Sequence, residues 1–386
     1  MSKFLNEPVK IDTGFLPKTP IRWATEEQPI FSSIMDIDRL ADNDGTVERS
    51  DFFEVLQKYK EHKGKIEELY IDFCLQNPKN SRDSGDYKIT EVVMPFCKKG
   101  ESEVRKFIFD KKTGKKLMEN TTRTSEKDGI VTVTVNKKHY GVNDVKSIDS
   151  EFQYDVSAIE NYIINEAKDN YGNTIRKFSE IPNIRNIPEE ERTAEQKKIL
   201  QEFDNLIKYV VDTGVDYGVD PKLVLSIIQQ EVGFDGLSSR VVGVNGKGYM
   251  QLTSAPIKDF LGYGPDKKYH ATKISQYGPE MAELLISRGF NVHDAKDNVS
   301  KERLYQEIMN YLIENKDPEF NIRLGTQVLA YYMNKSEGDV RLAARNYNGN
   351  IQLRDKYADH VERYYDTLGA TVPQDSTYVY QKRQFT

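Results

Sequence analysis

The sequence is short of the residues that announce several functional classes. It holds 386 residues with two cysteines, Cys74 and Cys97, and five histidines. Two cysteines are too few for a disulfide scaffold. The histidines (His62, His139, His270, His293, His360) are scattered, and neither HExxH nor CxxC spacing occurs. A zinc or thiol-nucleophile mechanism therefore has no motif behind it. No apolar run approaches the length of a membrane span. The opening MSKFLNEPVKID has no apolar core of the kind a signal peptide needs, so no such peptide is expected in this chain. Positive charge is not in excess either. The net charge is -6, so the basic footprint of a nucleic-acid binder is missing. No internal repeat or low-complexity tract is evident.

What is present is a globular composition, 38% hydrophobic and 30% charged, at a length that suggests two or three domains. Cys74 shares a helical stripe with Ile66, Tyr70 and Phe73, which reads as a buried free thiol. Whether it pairs with Cys97 is open at this level.

Residues 1–30 contain Pro8, Pro17, Pro20 and Pro29 and read as an irregular lead-in, with a helix starting near Phe31. Next comes LADNDGTVERSDFF, from Leu40 to Phe53. With Gly45 at the turn of a calcium loop, Asp42, Asp44 and Asp51 occupy three ligand positions, and Val47 the apolar one. Thr46 would offer its carbonyl, and Glu48 would act directly or through water. The stretch resembles an EF-hand, with two departures. Leu40 stands at the first ligand position, so that water or Asp38 would have to substitute, and Asp51 replaces the bidentate Glu. Both departures weaken calcium binding, and the plain alternative is a metal-free helix–turn–helix. Flanking helices are expected at 51–61 and 64–76.

From Tyr87 to Tyr140 the period changes to two. Val131, Val133 and Val135 alternate with Thr132 and Thr134, as in a half-buried strand. DKKTGKK and SEKDGIV place Gly in turns, so a small antiparallel meander of three to five strands is expected. Helical patterning returns at 156–168. Residues 170–192, with Pro182 and Pro188, read as a connector. A helix at 193–211 leads to a joint, TGVDYGVDP.

The most informative stretch runs from Asp220 to Ile257. Asp220 suits an N-cap and Pro221 the first helical position. Val224, Ile227 and Ile228 then form an i, i+3, i+4 apolar stripe. The next position on that stripe is Glu231, and Gly233 is a plausible C-cap. A carboxylate in the last turn, against an apolar wall and near the negative end of the helix dipole, has its ionised form disfavoured. That suits a general acid at neutral pH. From this stretch alone, a solvated end-of-helix charge is an equal reading. Asp235 is a candidate second carboxylate by nearness in sequence. Beyond, Ile322, Gly325, Val328, Leu329 and Tyr332 share a helical face on which Gly325 permits close approach. A short helix spans 339–347, and Tyr357, Val361, Tyr364 and Leu368 mark the last.

Four pieces in order, EVGF (Glu231 to Phe234), GYMQL (Gly248 to Leu252), DPEFNIRLGTQVL (Asp317 to Leu329) and RNYNGN (Arg345 to Asn350), resemble the motifs of the lysozyme-like soluble lytic transglycosylase domain. The resemblance covers about 190–370. It implies that Glu231 is the catalytic acid/base, that Met250 and Gln251 belong to the substrate-cleft motif, and that Tyr347 and Asn348 line the cleft. Val232 departs from the family's Ser, and Tyr249 from its aliphatic residue.

The expectation is thus an α+β chain. Residues 1–85 form the lead-in and EF-hand-like segment, 86–150 a small antiparallel β domain, and 151–192 a helical connector. Residues 193–372 form a mainly helical lysozyme-like domain, and 373–386 a loose tail. The implied activity is cleavage of peptidoglycan between N-acetylmuramic acid and N-acetylglucosamine with one Glu and no required cofactor, leaving 1,6-anhydro ends. Alternatives are a hydrolytic muramidase of a phage or secreted effector, and a non-catalytic glycan-binding wall protein. The implied partner is the glycan strand at the cell wall, with no nucleic acid and no membrane span. The N-terminal modules would serve for docking, and export by a phage, an effector route or prior processing fits the missing signal peptide.

Overall fold

The computed structural model describes residues 11–12, 31–140, 145–166, 176–232, 248–270, 277, 279–314, 317–348, 352–369 and 379–384. The fold is α+β, with a sheet in the first half of the chain and helices dominating the second.

The first helices are α1 (Ile34–Leu40), α2 (Arg49–Lys58) and α3 (Lys63–Gln76). Two short strands, β1 (Ile11–Asp12) and β2 (Thr46–Val47), pair antiparallel beside the loop between α1 and α2. The expected stripe on α3 is present: Ile66, Tyr70, Phe73 and Cys74 are all buried. Cys74 and Cys97 are free thiols.

The strands that follow are β3 (Ser81–Ser84), β4 (Tyr87–Met94), β5 (Glu101–Asp110), β6 (Lys116–Lys127), β7 (Ile130–Tyr140) and β8 (Val145–Asp155). With β9 (Val379–Gln384) they form one antiparallel sheet in the order β3-β4-β5-β6-β7-β8-β9. The meander expected from Tyr87 to Tyr140 is present as four strands, β4 to β7, and the sheet runs on beyond those bounds through β3, β8 and β9. On β8, Phe152 and Tyr154 bury the same face as Val133 and Val135. One expectation is corrected. The tail is not wholly loose, since Val379–Gln384 pairs with β8 over Glu151–Lys146.

The sheet divides two cores. Side chains alternate across a strand. Tyr87 and Ile89 on β4 join the core shared with the helical half, whereas Val92 and Met94 point to the opposite face and pack with Phe52, Tyr70 and Phe73. The α1–α3 segment is therefore a separate cap on the far side of the sheet.

The remaining helices are α4 (Val156–Glu166), α5 (Arg176–Ser179), α6 (Ile181–Arg185), α7 (Ala194–Tyr217), α8 (Pro221–Val232), α9 (Ser254–Phe260), α10 (Pro279–Ser287), α11 (Asn298–Glu314), α12 (Pro318–Lys335), α13 (Val340–Tyr347) and α14 (Arg354–Gly369). Within the expected connector, Phe178, Ile181 and Ile184 are buried in the main core, so its latter half is packed rather than a bare linker. Helix α7 starts with a capping box: Thr193 Oγ1 accepts from Gln196 N (3.2 Å), and Gln196 Oε1 accepts from Thr193 N (2.9 Å). It runs through the expected joint to Tyr217. Helix α12 begins four residues before Ile322, the first residue of its expected stripe, because Asp317 caps it by accepting from Phe320 N at 2.8 Å.

One buried ion pair links the sheet to the helices. Lys137 Nζ on β7 lies 2.7 Å from Glu280 Oε1 on α10, with the two side chains 6% and 3% exposed. His139 Nε2 lies 3.5 Å from Glu280 Oε2. Against the opposing effect of burial, Lys137 with His139 beside it holds the Glu280 carboxyl well below the usual range.

Candidate functional site

Helix α8 is buried almost all round: Val224, Leu225, Ile227 and Ile228 have no exposed surface. Its first turn is fixed by Asp220, whose Oδ1 accepts from Lys222 N (2.9 Å) and whose Oδ2 accepts from Tyr365 OH on α14 (2.8 Å). Burial pushes the Asp220 carboxyl up. At the other end of the helix, Glu231 reaches an open cleft of about 310 Å³. Tyr357 OH on α14 donates to Glu231 Oε1 at 2.7 Å. Burial pushes the Glu231 carboxyl up to about 7, and the Tyr357 hydrogen bond opposes part of that rise. The solvated end-of-helix reading is thereby set aside.

The GYMQL turn forms the facing wall, and α12 and α13 hold it there. Met250 N donates to Asn321 Oδ1 at 2.9 Å, and Tyr347 OH donates to Met250 O at 2.8 Å. Gly248 has φ +69, and a Cβ there would overlap the Asn321 amide. Gly325 is the close-approach point expected from the sequence, since a Cβ on it would overlap Met250 Cβ and Cγ. Met250 is itself fully buried, so it anchors the turn and does not present its side chain to the cleft. Gln251 does line the cleft. Its φ is +41, a left-handed conformation uncommon for a residue with a side chain. Its Nε2 donates to Gly248 O at 2.8 Å.

Tyr347 and Asn348 both line the cleft, as the motif implies, together with Val328 and Thr253. Burial, followed by the charge of Glu231, raises the phenols of Tyr347 and Tyr357 well above their ordinary value. Both therefore remain protonated hydrogen-bond donors at neutral pH. Among the described lining residues, Glu231 is the one carboxylate, and no lysine or arginine joins it. Gly233, Phe234 and Asp235 lie outside the described residues, as do Gly349 and Asn350 of the last motif. Val232 is 2% exposed, so that departure faces the core.

Sequence reasoning placed Tyr357 on the last helix and missed its role. A buried tyrosine hydroxyl needs a partner, and that was the signal available. The partner, 126 residues away, was not.

The acidic loop stands apart on the sheet's other side. Asp38, Asp42 and Asp44 bring carboxylate oxygens within 4.8 Å of one another. Asp51 is not in this group. Its Oδ2 accepts from Glu48 N at 2.6 Å and caps α2. Asp38 substitutes, two residues ahead of Leu40. Burial raises the Asp38 carboxyl, and Asp44 and Asp42 add like charge. This donor set suits a hard cation such as calcium.

No protein-family model, curated protein or solved structure matches this chain. Among the described residues no helix is long and apolar enough to cross a membrane.

Proposed function

We propose that the chain cleaves peptidoglycan as a lytic transglycosylase, with Glu231 as its single acid/base. The observation that carries this is Glu231, the one carboxylate among the described residues of an open cleft, with its pKa raised to about 7 and its position set by Tyr357. The four motifs converge on that cleft: α8 supplies Glu231, the Gly248–Gln251 turn faces it, Asn321 and Gly325 hold the turn, and Tyr347 bonds it. A cleft of about 310 Å³ is at the small end of ligand sites.

A glycosidase that uses two carboxylates places them on either side of the scissile bond. A single carboxylate has to serve twice. Protonated Glu231 gives its proton to the glycosidic oxygen as the bond from the muramic acid C1 breaks. The substrate's own acetamido group stabilises the electron-poor C1. The Glu231 carboxylate then takes the proton of the same sugar's 6-hydroxyl as its oxygen bonds to C1. The proton count is restored and no water is consumed. A pKa near 7 suits both halves, since the best acid–base group titrates near the working pH. If water replaces the 6-hydroxyl, the same residues make a muramidase.

The test is clearing of purified sacculi by wild type and Glu231→Gln. The substitution keeps shape and hydrogen bonding, and clearing is expected to fall at least ~10²-fold. Full clearing by a folded Glu231→Gln variant would overturn the assignment.

A further inference from the structure

Helix α14 touches the end of α8 at two points one turn apart. Tyr357 bonds Glu231, and His360 Nδ1 lies 3.1 Å from Gln230 Oε1. Gln230 also lines the cleft. With its oxygen committed to His360, the group it has left to offer is the amide NH₂, which makes no other hydrogen bond among the described residues.

We propose that Gln230 is a substrate-binding residue that donates to a carbonyl or carboxylate oxygen of the bound sugar, and that His360 is its positioning residue. This rests on the glycan-cleaving reading of the same cleft. The physical reason for an amide here is the neighbouring acid. A lysine or arginine at position 230 would recognise the same oxygen more strongly, but its charge beside Glu231 would lower that carboxyl's pKa. A neutral donor recognises the oxygen and leaves Glu231 protonated. Burial, with Arg363 and Lys356 next, holds His360 below its ordinary value, while Asp359 opposes the shift. His360 therefore works as a neutral imidazole, with its Nδ1–H donating to Gln230 Oε1.

Two sugar oxygens carry this chemistry: the acetamido carbonyl, present on every N-acetyl sugar of the strand, and the lactyl oxygen of muramic acid alone, a carboxylate in the unsubstituted sugar and an amide carbonyl where a peptide stem is attached. Calorimetry with the full chain carrying Glu231→Gln separates them. The probes are an N-acetylglucosamine tetramer and a tetrasaccharide alternating N-acetylglucosamine with N-acetylmuramic acid. Adding Gln230→Leu is expected to weaken binding about tenfold, the scale of one lost hydrogen bond. Weakening towards both probes assigns the acetamido carbonyl, and weakening towards the muramic probe alone assigns the lactyl carboxylate. Equal binding with and without Gln230→Leu overturns the proposal and leaves the glycan reading standing. If the parent binds neither probe, both fall. In the otherwise wild-type enzyme, His360→Leu should raise KM with little change in melting temperature, and His360→Asn, whose amide reaches the Nδ1 position, should restore KM. A purely structural histidine would lower the melting temperature and leave KM alone.

Discussion

Glu280, which is buried, and Glu231, which is half-buried, both sit in the helical half of this protein, and their surroundings drive them in opposite directions. Glu280 lies at the junction with the sheet, against Lys137 and His139. Lys137, with His139 beside it, outweighs burial, and the carboxyl stays ionised. Glu231 lies at the end of α8 with a tyrosine hydroxyl as its hydrogen-bond donor. A neutral donor does not offset burial, and the carboxyl rises to about 7. The same side chain is thus an ionic fastener in one place and a proton carrier in the other. Among the described residues, the difference is the cation beside Glu280 and the neutral hydroxyl beside Glu231.

The largest expected effect comes from breaking the fastener. Glu280→Gln strands Lys137 without its partner, and removing one member of a buried pair costs about 3–5 kcal/mol. Urea denaturation measures it. Glu231→Gln should do the opposite. Because Glu231 is raised in the folded state, its ionisation opposes folding. Stability falls as pH climbs from the ordinary value of 4.5 towards 7, by up to about 3 kcal/mol. The variant should therefore be more stable than wild type at pH 8 and indistinguishable at pH 4. For Glu280 the sign reverses. Its stabilisation is complete above the ordinary carboxyl value and fades as pH drops below it. Equal behaviour of the two variants at pH 8 would erase the comparison.

A smaller effect sharpens it. The Tyr357 hydrogen bond lowers the Glu231 pKa, so Tyr357→Phe should move the alkaline limb of lysis upward from about 7. Lysis should also drop about tenfold, the scale of one hydrogen bond. A downward shift would mean that the hydroxyl is not a donor to the carboxylate.

These contrasts bear on how much could be read beforehand. Glu231 was legible because its evidence is local: Val224, Ile227 and Ile228 define the buried stripe, and Glu231 continues it. Gly325 was legible for the same reason, and Met250 is what packs on it. The contacts that give the two glutamates opposite roles were not legible. Tyr357 to Glu231 and Lys137 to Glu280 each join residues more than a hundred positions apart. The meander was legible in kind from Val131, Val133 and Val135 but not in extent, since β9 returns from the far end of the chain. The acidic loop was half legible. Asp42 and Asp44 are in the cluster with Asp38, which substitutes for Leu40, but Asp51 serves as a helix cap.

The smallest effect concerns that loop. Three carboxylates without a bidentate Glu support at most weak calcium binding, Kd about 10⁻⁴–10⁻³ M. Calorimetric titration with calcium should show that heat lost in Asp44→Ala, with clearing of sacculi unchanged. A sub-micromolar site indifferent to Asp44→Ala would mean the ligands lie elsewhere.

The central claim is that one carboxylate both gives and takes the proton without water. Mass spectrometry of sacculi digested by the full chain tests it most directly. The account predicts 1,6-anhydro muropeptides, one water lighter than hydrolysis products, from wild type and none from Glu231→Gln. Reducing ends alone would contradict the cyclising step, and an undigested glycan would contradict the proposed function itself.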